Sequence, residues 1–155
     1  MALLALSMGA VACGGESTTS GASSGSGAAS VCASDPRAEA YAVGLEGKAA
    51  DGAVKIRFVD AMPAPPSKGN NTWTVQVLNG ADQPINGATI ELTAFMPDHG
   101  HGSSTKPTVT PMGSDGTYQL ALVNLFMPGI WQITFKVTPP QGMADAVVFT
   151  FCIDG

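Results

Sequence analysis

Seven short runs of alternating apolar and polar residues predict an all-β chain, an immunoglobulin-like seven-stranded antiparallel β-sandwich with a short N-terminal helix. Three observations carry this reading. From Val54 onward the hydrophobic period is two, the period of half-buried strands, and not the 3.6 of a helix. Clusters of turn formers (PAPPSKGNN, GADQPIN, GSDG, MPG, TPPQG) separate the runs. The stretch 32–155 is one domain by length, and several short strands in such a stretch fold most simply as two packed sheets.

The runs are 54–59 (VKIRFV), 72–79 (TWTVQVLN), 87–95 (GATIELTAF), 106–112 (KPTVTPM), 117–124 (TYQLALVN), 130–137 (IWQITFKV) and 145–152 (DAVVFTFC). The fourth contains Pro107 and Pro111, which lack an N–H, so it must be an edge strand. Trp73 and Trp131 lie inside runs and read as core. The helix is expected to start with Ser34 or Asp35 as N-cap and Pro36 in the first helical position, and to continue through RAEAYA.

The N-terminal region has a different character. Residues 1–12, MALLALSMGAVA, are uncharged and almost wholly apolar, too short to span a bilayer, and end in small residues before a cysteine. The segment Ala10-Val11-Ala12-Cys13 resembles a bacterial lipobox, which implies lipidation of Cys13 and cleavage before it. Gly14 after the cysteine is consistent with the periplasmic side of the outer membrane. Residues 13–31 then form a lipidated cysteine and a Gly/Ser-rich tether, which cannot bury enough apolar surface to offset its ordering entropy. With Cys13 assigned to lipid, Cys32 and Cys152 remain as a natural disulfide pair in an oxidising compartment. The alternatives are two free thiols or two soft metal ligands.

The formal net charge is −5 and only 12% of residues are charged. A mildly acidic chain without a basic cluster is a poor match for nucleic acid or for anionic headgroups. Antiparallel succession also fixes which loops meet. The connections after the first, third and fifth runs share one end of the sandwich, and those after the second, fourth and sixth share the other.

The residues with metal chemistry gather at the first of these ends. Both histidines of the chain lie in FMPDHGHG, residues 95–102. On a locally extended backbone His99 and His101 project to the same side. Met96 enters from the end of the third run, Met127 from the connection after the fifth, and Met62 from the connection after the first. Imidazole with thioether favours copper, and Cu(I) above all. The predicted ligands are therefore Met96, His99, His101 and Met127, with Met62 as a fifth group or lid and Asp98 as a partner orienting an imidazole. Met112 and Met143 fall at the opposite end. Two histidines are too few for a His₃ catalytic zinc site, and no nucleophilic triad or phosphate loop is present, so an enzyme is not expected.

The segment from Trp73 to Val137 resembles the YtkA-like and FixH-like domains. The resemblance is carried by GATIELTAFMPDHGHG, DGTYQLALVN and LFMPGIWQITFKV, and by Met96, Pro97, His99, His101, Gly116, Tyr118, Met127, Gly129 and Trp131 within them. It implies a small exported or membrane-anchored β-sandwich concerned with copper handling and respiratory oxidase assembly, and a copper-accepting or copper-donating partner protein. The competing expectation is a non-catalytic immunoglobulin-like interaction module of the cell envelope.

Overall fold

The computed structural model describes Ser30, Cys32 and residues 34–155. The expected signal segment, Cys13 and most of the tether lie outside the described residues. The strands are β1 (Glu46–Lys48), β2 (Val54–Met62), β3 (Gly69–Asn79), β4 (Thr89–Met96), β5 (His101–Gly102), β6 (Thr108–Met112), β7 (Thr117–Leu125), β8 (Gly129–Thr138) and β9 (Asp145–Ile153). They form two antiparallel sheets, ordered β1-β2-β3-β7-β6 and β5-β4-β8-β9. Seven of them match the seven predicted runs to within three residues at each end. Without β1 and β5, the first, second, fifth and fourth strands face the third, sixth and seventh, which is the constant-type immunoglobulin arrangement. No helix among the described residues is long and apolar enough to cross a membrane.

Alternation buries one face of each sheet. Trp73, Trp131, Tyr118, Phe58, Phe135 and Phe149 are the largest fully buried side chains, so both tryptophans are core. Phe58 sits edge-on to Trp73, Phe135, Phe149 and Phe151, with ring centroids 5.1–6.1 Å apart, the arrangement that aromatic quadrupoles favour. Strand β6 pairs only with β7, in keeping with Pro111 within it and Pro107 just before it.

Two expectations are corrected. The sheets contain nine strands, not seven, because β1 and β5 are three and two residues long, too short to show a period. The predicted helix is absent. Instead, Asp35 N donates to Cys32 O and Ala38 N to Asp35 O, both at 3.0 Å, as two successive turns. The Asp35 carboxylate accepts from Arg37 N at 2.9 Å, the local bond by which aspartate competes with helix formation. Tertiary ties complete the override. Cys32 is bridged to Cys152 of β9, across 120 residues of sequence. Glu39 N donates to Thr150 O at 2.7 Å, and Thr150 N donates to Glu39 Oε2 at 2.9 Å. The segment therefore runs beside β9, and Tyr41 packs on Phe58 and Phe151.

Candidate metal centre

The sequence Met96-Pro97-Asp98-His99-Gly100 reverses the chain between β4 and β5. His99 N and Gly100 N both donate to Met96 O, at 3.2 and 3.0 Å. Pro97 suits the second position of such a turn. Gly100 takes φ +68°, a left-handed conformation open to glycine at no steric cost. The returning chain pairs His101 with Met96 and Gly102 with Phe95. His99 and His101 thus converge through a tight turn and not through the extended backbone expected from the sequence. Their ring centroids are 5.6 Å apart.

The pairing also places the thioether. Residues opposite each other in an antiparallel ladder share a face, with Cβ atoms about 5 Å apart. Met96 is wholly buried, and its cross-strand partner His101, itself exposed, lies directly opposite it at the sheet edge. A Cβ on Gly129 would fall 2.8 Å from Met96 Cε, so a larger residue there would push the thioether aside. Met127, in the β7–β8 connection, packs half-buried against the core, and its carbonyl accepts from Trp131 Nε1 at 2.9 Å. Met62 ends β2 and is 70% exposed.

Asp98 is paired with Arg37. Its Oδ1 and Oδ2 accept from Arg37 Nη1 and Nη2 at 2.8 and 2.7 Å. These bonds hold the Asp98 carboxyl below the usual carboxylate range. The same guanidinium lowers Asp35 to about 2, and the two carboxylates in turn raise Arg37. Asp98 thus ties the N-terminal segment to the turn through Arg37. The hydrogen bonds of the turn run through its backbone and Asp98, and none among the described residues involves an imidazole.

Two residues that bear on the site were not singled out from the sequence. Arg37 is one. Phe126 is the other: its ring stacks on His101, with centroids 5.6 Å apart and planes 22° apart, and meets Trp131 edge-on at 5.4 Å. The signal for Phe126 was its place beside Met127, in a connection already assigned to the histidine end.

A shallow cavity of about 300 Å³ beside the turn is lined by Cys32, Asp35, Asp98, His99, Pro128 and Gly129, among others. A larger one, about 620 Å³, lies at the opposite end among Asn79, Ile85, Asn86, Pro139 and Met143, and holds none of the predicted donors. Among the described residues no three His, Cys, Asp or Glu side chains cluster closely enough to hold an ion. Two imidazoles binding one ion through nitrogens at about 2 Å place their ring centres at most about 6 Å apart. The observed 5.6 Å fits that limit.

The YtkA-like family profile matches residues 48–136. Solved structures similar to the chain include two of FetP from uropathogenic Escherichia coli strain F11. One is a copper-bound variant, 15% identical with a TM-score of 0.51, the match covering 74% of this chain and 97% of that one. The other is the protein as isolated after recombinant expression in the E. coli periplasm, 15% identical with a TM-score of 0.48, the match covering 72% of this chain and 97% of that one. At this identity the first likeness is one of fold. No curated protein sequence matches the chain.

Proposed function

Since the chain belongs to the YtkA-like family, we propose that it is an extracytoplasmic copper-binding protein that holds Cu(I) at the turn between β4 and β5 and passes it to, or takes it from, a partner protein. The observation that carries this is the His99–His101 pair, 5.6 Å apart at a sheet edge, with His101 directly across from the buried Met96. Imidazole and thioether together prefer Cu(I). His99, His101 and Met96 would hold the ion, with Met127 as the next donor in the adjoining connection. FetP, whose fold this chain shares, has been solved with copper bound. The Cys32–Cys152 bridge agrees with an oxidising compartment. In this reading lipid on Cys13 anchors the chain at the periplasmic side of the outer membrane. Cys32, to which such a tether would lead, lines the cavity beside His99. Delivery to respiratory oxidase assembly is one use such a site would serve.

The test is a Cu(I) titration of the full chain against a chromophoric chelator. One equivalent is expected to bind. Replacing both His99 and His101 by alanine should weaken binding beyond the roughly 10–100-fold that loss of a ligand's supporting partner costs. Acid should release the ion, since imidazole binds metal only when neutral. Equal affinity in the double variant would show that the site is elsewhere. No binding by the native chain would leave a non-catalytic interaction module.

A further inference from the structure

We propose that Phe126 is the positioning residue of this centre: its ring fixes the His101 imidazole by stacking and covers that side of the site, biasing it toward Cu(I) over Cu(II). The inference rests on the copper-binding reading above.

Ligating histidines usually owe their orientation to a hydrogen bond on the second ring nitrogen. Here no hydrogen bond among the described residues reaches either imidazole, and the carboxylate nearest in sequence is taken by Arg37. His101 lies on a two-residue edge strand, where backbone pairing alone restrains it weakly. The planar contact that it does have is Phe126, nearly parallel at 5.6 Å. That ring is itself held from behind. Trp131, fully buried, meets its face or edge at 80° and 5.4 Å, and donates from Nε1 to the carbonyl of Met127, the residue next to Phe126. A relay therefore runs from the core through Trp131 and Phe126 to His101 and His99.

Core packing does not account for Phe126. The preceding Leu125 already fills the inward position and is fully buried, whereas Phe126 is 44% exposed. Beyond Trp131, the ring that Phe126 meets is the His101 imidazole. Its chemistry is selective. Cu(II) prefers tetragonal sites with nitrogen and oxygen donors, water among them, and Cu(I) is content with few soft donors. An aromatic ring stacked on His101 would disfavour added water on that face of the imidazole.

The experiment compares the full-length native chain with Phe126→Ala, Phe126→Leu and Phe126→Tyr. Without metal, the His101 ring protons should show an upfield ring-current shift by NMR in the native chain and in Phe126→Tyr, and lose it in the other two. With copper, Phe126→Ala should lower Cu(I) affinity about two- to tenfold, the range expected of one aromatic pair. It should also raise the affinity for Cu(II) relative to Cu(I), and Phe126→Tyr should restore both. A role in packing alone would lower thermal stability and leave the Cu(II)/Cu(I) ratio unchanged, which overturns the proposal. Copper binding by the native chain that Phe126→Ala alters neither in affinity nor in ratio overturns it while sparing the parent reading. No copper binding by the native chain sinks both.

Discussion

The two ends of the sandwich are held together by different means. At the end away from the histidines, side chains are used on backbone. The Tyr118 hydroxyl donates to Ile85 O at 3.0 Å and accepts from Ala88 N at 2.8 Å. Asn86 accepts from Gly116 N at 2.8 Å and donates to Ser114 O at 2.9 Å. Asn79 accepts from Ala81 N and Gln83 N, each at 2.9 Å. At the histidine end, a covalent bridge, the Arg37 clamp and the buried Asn71 do the holding. Asn71 donates to Ser67 O at 2.8 Å and Val123 O at 3.3 Å, and accepts from Ser67 N at 3.0 Å, tying the β2–β3 connection to β7. With the scaffold secured by these few groups, His99, His101 and Phe126 are free for a ligand.

The disulfide offers the largest break in this contrast. Replacing Cys32 and Cys152 by serine should cost about 2–5 kcal/mol of unfolding free energy in chemical denaturation. Amide exchange should rise first in residues 34–41 and in the 97–102 turn, before the amides of Ala88 and Gly116 respond. Equal acceleration at both ends would mean that they unfold as one unit and that the contrast is only geometric. Next in size is Asn71→Ala, which strips partners from Ser67 and Val123 and should cost about 1–3 kcal/mol. It should also loosen the connection that carries Met62. Tyr118→Phe should cost about 1 kcal/mol and leave copper affinity as it was. A change in copper affinity with Tyr118→Phe would show that the ends communicate through β7.

What the sequence made legible follows the same division. The seven long strands were readable because each is long enough to show a period of two and is bounded by turn formers. Strand succession alone placed Met62, Met96, His99, His101 and Met127 at one end and Met112 and Met143 at the other. Length decided the failures: β1 and β5 carry no period in three and two residues. Around Asp35 and Pro36 the local signal for a helix start was genuine, but the bridge at Cys32 and the bonds to Thr150 held that segment along β9. Arg37 meets Asp98 across 61 residues of sequence, and Phe126 meets His101 from another loop. Contacts of that kind depend on how the two sheets are placed and leave no trace in spacing.

The smallest expected effect concerns the clamp, and it decides what Asp98 is for. Arg37 holds the Asp98 carboxyl below its usual range and Asp35 at about 2. Folded-state values below the ordinary ~3.9 mean that the clamp contributes fully above that pH and is lost as pH falls toward 2. All three groups are on the surface, so salt screens the interaction and its share of global stability is small. Carboxyl titration by NMR reads it directly. Arg37→Gln should bring both aspartates up toward the ordinary range and speed amide exchange in the 97–102 turn at neutral pH, without changing exchange at Gly116. Acidifying the native chain toward pH 2 should loosen the turn in the same way. If Asp98 titrates alike in both proteins, Arg37 does not grip it in solution, and its carboxylate is left to orient an imidazole as its position beside His99 first implied.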